Sequence, residues 1–278
     1  MTRTAVSTAV VALTVAGCVV VHQPVAAAAA VPAYSHVVVV VEENHTADSI
    51  IGNTAAPFMN SLAAGGALMT ASYAVTHPSE PNYLALFAGD TFGLDSNVCP
   101  LHLGDAPNLA SALIAAGHTF GGFAEGLPAS ADVCAEGPYA RKHAPWLNFT
   151  NVPPAASLPM GAFTGDGSLP TVSFVVPDLD NDMHNGSVAT ADNWLAEHIG
   201  GYAQWAKANN SLLIVTWDED DTRGDNRIPT IFYGAGVKPG SYGQRIDHYN
   251  VLATIQQIYR LPGIGQAAGA APVSGIWG

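Results

Sequence analysis

Five consecutive valines, Val37 to Val41, follow His36 and run directly into Glu42-Glu43-Asn44-His45-Thr46. A β-branched run without polar alternation suits a strand covered on both faces, as in the middle of a parallel sheet. Parallel strands cannot be joined by hairpins, so such a chain must also supply crossover helices. Strand patterns at residues 67–73, 118–124, 171–176, 212–217 and 228–233 alternate here with helical patterns at 57–64, 82–88, 108–116, about 188–208 and 251–259. In the long helix, Trp194, Leu195, Ile199, Tyr202 and Trp205 share one face and read as core. The pattern predicts an α/β fold with a mainly parallel central sheet flanked by helices, in a single domain over residues 31–278. Residues 126–170 are rich in Pro, Gly and Ala without periodicity, which predicts a long surface excursion.

The net charge is −13, from 22 acidic residues against 9 Lys and Arg. That balance argues against nucleic acid or an anionic membrane surface as a partner. At the start of the chain, Arg3, a small and apolar stretch at 5–21 and the alanines at 26–30 predict an export signal over residues 1–30. Val15-Ala16-Gly17-Cys18 also fits a lipoprotein cleavage box, and the apolar run approaches the ~18 residues of a membrane anchor. Any membrane contact is expected through this terminus, and the expected location is secreted or cell-surface. With Cys18 in the leader, Cys99 and Cys134 remain; neither lies in a CxxC, and in an exported protein they are expected to pair.

Polar clusters at 42–46, 77–82, 178–184 and 218–221 each follow a strand pattern. In open α/β sheets, sites form beyond the carboxyl ends of strands, so the four clusters should converge on one edge. One of them, His77-Pro78-Ser79-Glu80-Pro81-Asn82-Tyr83, places a serine at a helix start. Ser79 is there either an N-cap or a nucleophile beside free helix N–H groups that suit an anion. A hydroxyl, several carboxylates and histidines at one edge fit metal-assisted attack on phosphorus or a Ser-His-Asp acyl transfer. The second usually sits in a Gly-x-Ser-x-Gly elbow, which this chain lacks. The acidic setting favours a hard cation with oxygen ligands.

Glu43-Asn44-His45, Ile50-Ile51-Gly52, Thr76-His77-Pro78-Ser79-x-Pro81-Asn82-Tyr83, Tyr139-x-Arg141-Lys142-His143, Asn181-Asp182-Met183-His184 and Thr216-Trp217-Asp218-Glu219-Asp220-Asp221 occur in this order. Together they resemble the bacterial phosphoesterase family, which groups acid phosphatases with phospholipases C inside the alkaline phosphatase superfamily. The resemblance runs from about residue 36 to 262 and implies an alkaline-phosphatase-like three-layer sandwich. It implies Ser79 as a nucleophile forming a phosphoseryl intermediate, with Glu43, Asn44, Asp218 and Glu219 holding a divalent metal ion. His143, Asp182 and His184 are implied near the phosphoryl group, with His184 as the acid for the leaving oxygen and His143 and Asp182 as substrate contacts. His248 resembles a metal ligand of the wider superfamily. One divalent ion is the expected count, and two is the alternative.

The chain departs from the family pattern at Ala144, where an Asn-Pro pair is usual, and at Asn185-Gly186, where an Asp-Cys pair is more common. His77 reads as loop packing, and Arg141 and Lys142 as surface charge, with neutralisation of a substrate phosphate as the alternative. Longer family members carry lipid-contacting domains, so this short chain is expected to act on small phosphate monoesters. A phosphodiester such as a phospholipid head group is the alternative. Two further readings compete: a binding protein on an inactive scaffold, which is disfavoured by the presence of Ser79 and the acids, and a metal-independent serine esterase.

Overall fold

The computed structural model describes residues 1–2 and 31–278. The expected export signal, the lipoprotein box and Cys18 lie outside the described residues, apart from the first two positions. In chain order the elements are β1 (His36–Glu42), α1 (Ala47–Ile50), α2 (Pro57–Gly65), β2 (Ala67–Met69), α3 (Ser79–Ala88), α4 (Leu109–Ala115), β3 (Phe120–Ala124), β4 (Ala135–Glu136) and β5 (Tyr139–Ala140). There follow β6 (Ser157–Pro159), β7 (Val172–Val176), α5 (Val188–Ala208), β8 (Ser211–Trp217), β9 (Thr230–Gly234), β10 (Gly240–Tyr242) and α6 (His248–Tyr259).

Eight strands form one sheet in the order β10-β2-β9-β8-β1-β7-β3-β6. The valine strand lies between β7 and β8 and runs parallel to both. Its alternate residues serve different layers. Val37, Val39 and Val41 pack into the core shared with α3, α4 and α6, while Val38 and Val40 pack into the core shared with α2 and α5. Burial on both faces explains the absence of alternation. The three-layer α/β/α architecture is therefore the expected one, and no described helix is long and apolar enough to cross a membrane.

Two strand details differ from the sequence reading. β9 is antiparallel to β8, because the chain returns through an acidic loop without a crossover helix. The strand expected at 67–73 stops at Met69; Ser72 and Tyr73 then make only single bridges, to Ile246 and Arg227. A third correction is larger. The stretch at 126–170 is no surface excursion throughout: Tyr139, Arg141, His143, Trp146, Asn148 and Phe149 are buried. Trp146 lies flat on β3, where a Cβ at Gly122 would meet its ring at 2.3 Å. The expected Cys99–Cys134 disulfide is present and ties this strap to the loop after α3.

Helix α2 begins at Pro57 after Ala56, whose side chain cannot cap it. The buried carboxylate of Asp192, on α5, accepts the Phe58 and Met59 N–H groups at 3.0 and 2.8 Å instead. A remote residue thus satisfies the orphan donors of a helix start and locks two helices together. Replacing Asp192 by Ala should cost about 2 kcal/mol in urea unfolding. Asn, which keeps one acceptor, should recover part of that; an Asp192→Ala protein as stable as the wild type would show that the cap is dispensable.

Candidate active site

The sheet register sets the acidic residues. Asp218 N–H donates to the Glu42 carbonyl at 3.0 Å, and Glu43 N–H donates to the Asp182 carbonyl at 2.9 Å. The first bond extends the β8–β1 pairing one residue past the strand ends, and the second ties the end of β1 to the loop that follows β7. They bring Glu43, Asp182 and Asp218 side by side, and all three are wholly or almost wholly buried. Glu42 and Glu43 are both fully buried. By strand alternation Glu42 belongs to the α2 and α5 face, where burial and nearby Asp192 push its carboxyl well up. In the acidic run, Asp218, Glu219 and Asp220 are buried.

Ser79 is the first residue of α3, after an N-cap at Pro78 that offers no side-chain bond. The cap reading of Ser79 is therefore incorrect: its hydroxyl faces the acids, 3.3 Å from Glu43 Oε2 and 3.2 Å from Glu219 Oε1. The rest of the motif holds that position. Asn82 Oδ1 accepts the Val75 and Thr76 N–H groups, each at 3.0 Å, and its Nδ2 donates to the Thr76 carbonyl at 2.8 Å. Glu80 accepts Val98 N–H, while its own N–H donates to Asn97 Oδ1 at 3.0 Å. The Tyr83 hydroxyl donates to Glu43 Oε1, and the Tyr83 ring stacks on His143 with centroids 4.9 Å apart.

Asn44 completes a ring of polar heads. Its amide oxygen points inward, 3.2 Å from Glu219 Oε1 and 3.3 Å from Glu43 Oε2. With an inward oxygen, Ser79, Glu43, Asn44 and Glu219 present four oxygens in a closed circuit with edges of 3.2–3.3 Å. Oxygens bound to one hard divalent ion at ~2.1–2.4 Å lie roughly 3–3.4 Å from their neighbours. Rotating the amide would instead give two hydrogen bonds without a cation, so Asn44 suits either state. Asp218 adds a wholly buried Oδ2 that lacks any partner, while its Oδ1 accepts Asn44 N–H at 3.2 Å. This donor set, all oxygen and partly orphaned, fits a divalent ion.

The electrostatics point the same way. Burial, then Asp182, pushes the Glu43 carboxyl up to about 8, against the opposing effects of Lys142 and Tyr83. Burial raises Asp182 to about 9, with its His184 N–H bond pulling the other way. Burial and the neighbouring Glu43 and Glu219 hold Asp218 well above the usual carboxylate range. Crowded acids of this kind need protons or a cation.

The histidines divide by depth. His143 is buried, with Nε2 3.0 Å from Glu43 Oε1 and Nδ1 3.4 Å from Asp182 Oδ2. Burial first, then Lys142 and His184, lowers its pKa well below the ordinary value. Glu43, His143 and Asp182 each offer a ligand atom within 4.8 Å of the others. The imidazole turns a different nitrogen to each carboxylate, yet His143 Nε2 and Asp182 Oδ2 have no hydrogen-bond partner, so the trio is close-packed but not bonded through those atoms. His184 is exposed and lines, with Asn44, His45, Met183 and Glu219, an open cleft of about 420 Å³. Asn185, at one departure from the family pattern, places its Oδ1 2.9 Å from His184 Nδ1. Gly186 is required beside it, since a Cβ there would lie 1.8 Å from the Asp180 carbonyl. His248 is buried, and its Nε2 donates to the Asp218 carbonyl at 2.7 Å, so it braces the acidic loop.

Three residues differ from the sequence reading. His77 does more than pack: its Nδ1 lies 2.6 Å from Glu219 Oε2 and its Nε2 3.4 Å from Asp220 Oδ1. Lys142 is not surface charge; its Nζ donates to Ser79 Oγ at 3.2 Å. Both sit in the resembling motifs, which was the available signal. Arg141 is also buried, and it donates from Nε to the Ala131 carbonyl at 2.6 Å, from Nη1 to Asn148 Oδ1 at 2.7 Å and from Nη2 to the Leu147 carbonyl at 3.0 Å.

The fold is a mainly parallel α/β/α sandwich with a serine and buried acids at the carboxyl edge of its sheet, and the comparisons with known proteins give its class, a phosphoric ester hydrolase. The chain belongs to the Phosphoesterase family, whose model matches residues 53–262. A phosphatidylinositol-3-phosphatase of Mycobacterium tuberculosis is 60% identical over 256 residues, covering 91% of this chain and 86% of that protein. An acid phosphatase of Aspergillus fumigatus is 30% identical over 75% of this chain, which spans only 52% of that protein's length. Among solved structures, a lipoteichoic acid synthase of Listeria monocytogenes superposes with a TM-score of 0.58 at 11% identity, covering 82% of this chain and 72% of that one. An alkaline phosphatase superfamily protein of Vibrio parahaemolyticus gives 0.55 at 13% identity, covering 83% and 67%. These two likenesses concern the fold.

Replacing Arg141 by Ala should strand buried acceptors and cost about 3 kcal/mol of stability, together with activity, because the turn carrying Lys142 and His143 loses its anchor. Lys at this position should not rescue, since it lacks the planar fork. Thermal unfolding and phosphate release measured on the same samples check both points.

Proposed function

We propose that this chain is an exported, metal-dependent phosphomonoesterase that uses Ser79 as nucleophile. The observation that carries the reading is the Ser79 hydroxyl seated in a ring of oxygens from Glu43, Asn44 and Glu219, with orphaned Asp218 Oδ2 beside it. Glu43, Asn44, Asp218 and Glu219 would hold the ion. Bound there, a divalent ion supplies charge compensation for the acids and for the phosphoryl oxygens and lowers the pKa of a hydroxyl.

The chain's own groups carry the remaining steps. Ser79 gives up its hydroxyl proton to solvent as Oγ attacks phosphorus; the Oγ–P bond forms as the ester P–O bond breaks, and the alcohol departs. Protonated His184, at the mouth of the cleft, gives its proton to the departing oxygen. His143 orients the phosphoryl group deeper in the pocket, itself packed against Asp182. Water then cleaves the phosphoseryl bond, releasing phosphate and restoring Ser79.

The monoester reading gains support from the 60% identical relative, whose name specifies a phosphate on an inositol ring. A monoester carried on a lipid head group is thus the favoured substrate form, and a phosphodiester is the alternative. The Cys99–Cys134 disulfide supports an oxidising compartment. We take residues 1–30 as the leader and 31–278 as one domain.

Ser79→Ala should lower phosphate release from p-nitrophenyl phosphate by about 10³-fold or more without changing the circular dichroism spectrum. Chelation should silence the wild type, and one divalent ion among magnesium, manganese and calcium should restore it. Faster cleavage of bis(p-nitrophenyl) phosphate than of the monoester or of phosphatidylinositol 3-phosphate would favour the diesterase alternative. Wild-type turnover by Ser79→Ala would remove the nucleophile assignment.

A further inference from the structure

We infer that Lys142 is a catalytic residue, which holds Ser79 Oγ before attack and binds a non-bridging phosphoryl oxygen in the transition state. The inference rests on the phosphatase reading of Ser79 and names a group which that reading does not use. Its Nζ lies 3.2 Å from Ser79 Oγ, on the same oxygen that faces Glu43 and Glu219. Among the described residues no other Lys or Arg nitrogen is hydrogen-bonded to Ser79. Arg141, one position earlier, spends its guanidinium on carbonyls and Asn148, while Arg223 lies at the outer rim of the cleft beside Asp221.

The backbone around Lys142 is fixed on both sides. Arg141 is buried and bonded to the strap, and His143 is buried between Glu43, Asp182 and the Tyr83 ring. Ala144 N–H closes the turn on the Arg141 carbonyl at 2.9 Å. A lysine between two locked side chains has a fixed root and a flexible four-carbon arm, the arrangement of a point charge that can follow a moving oxygen. It interacts favourably with Glu43, Glu80, Asp182 and Glu219 and unfavourably with His143 and His184.

When Oγ bonds to phosphorus, the non-bridging phosphoryl oxygens flank that same Oγ. A donor already within hydrogen-bond distance of Oγ is then within reach of one of them. Phosphoryl transfer is catalysed chiefly by positioning and by charge placed on those oxygens, so a cation at this point acts on the transition state more than on the bound ester. Lys142 keeps its protons throughout; the bond changes are those of Ser79 and the ester.

The test compares full-length wild type, Lys142→Ala, Lys142→Met, Lys142→Arg and Ser79→Ala with p-nitrophenyl phosphate, and measures bound metal and thermal unfolding for each. Lys142→Ala and Lys142→Met should lose about 10²–10³-fold in kcat, with KM within threefold of wild type. Metal content and melting temperature should stay at the wild-type values. Inhibition by vanadate should weaken in step with kcat, and added methylammonium should restore part of the Lys142→Ala activity in a saturable way. Lys142→Arg should retain more activity than either.

A Lys142→Ala enzyme with kcat within threefold of wild type overturns the inference. A loss of kcat matched by lost metal or a lowered melting temperature, without amine rescue, overturns it too and assigns Lys142 to site assembly. Ser79→Ala separates the two levels: if it is inactive while Lys142→Ala is not, only the lysine assignment fails, and if it stays active, the underlying reading fails.

Discussion

The site depends on the parallel register of one buried strand. β1 has β7 on one side and β8 on the other; its pairing with β8 continues past Glu42 through the Asp218 N–H, and the loop after β7 folds back so that the Asp182 carbonyl accepts the Glu43 N–H. Backbone bonds, rather than side-chain choices, thereby bring three carboxylates from three distant segments together. A shift of β1 by one residue would exchange Glu42 and Glu43, sending the wrong carboxylate to each face of the sheet. The valine run resists such a slip only in part, because every position in it is apolar. The bonds at the strand end and the differing environments of Glu42 and Glu43 supply the discrimination.

Such a placement has an electrostatic cost. Glu43, Asp182 and Asp218 are all held above their usual range by burial, and Glu43 and Asp218 also by one another or by near neighbours. The protein offsets this with the Tyr83 hydroxyl, with His77 against Glu219 and Asp220, and with Lys142. None of these side chains satisfies Asp218 Oδ2. A buried carboxylate oxygen without a protein partner is a donor that the proposed divalent ion would use.

Much of this was legible in the sequence. The unbroken valines gave the doubly covered strand, and the long helix at Val188–Ala208 showed in the spacing of Trp194, Leu195, Ile199 and Tyr202. The convergence of four polar clusters followed from strand direction alone. What escaped was held by tertiary contacts without periodicity. Arg141 and Lys142 look alike as letters, yet one is a buried anchor and the other reaches Ser79. Arg141 is buried because the irregular strap folds round it and turns the Ala131 and Leu147 carbonyls and Asn148 Oδ1 onto its guanidinium, and no periodic pattern encodes that. Ser79 looked like a cap because serine at a helix start usually is one, and the hydroxyl was claimed instead by Glu43 and Glu219.

The two halves of the site are built by different means. The acids sit on a regular sheet edge, where register fixes them and substitution of neighbours changes little. The groups proposed to meet the phosphoryl end, Lys142 and His143, sit on an irregular strap held by Arg141, by Trp146 against Gly122 and by the Cys99–Cys134 disulfide. Ala144, where the family pattern has a polar residue, is buried in the apolar core beside them. A strap anchored by a few side chains can change its substrate-facing residues without disturbing the sheet. The departures at Ala144 and Asn185-Gly186 fall on the strap and on the loop after β7, not on the sheet strands. Selectivity among phosphate esters should therefore be sought in the strap and in the loop at 178–186, which also carry the roles proposed for Lys142 and His184, while Ser79 and the proposed ion's donors stay beside the strand ends.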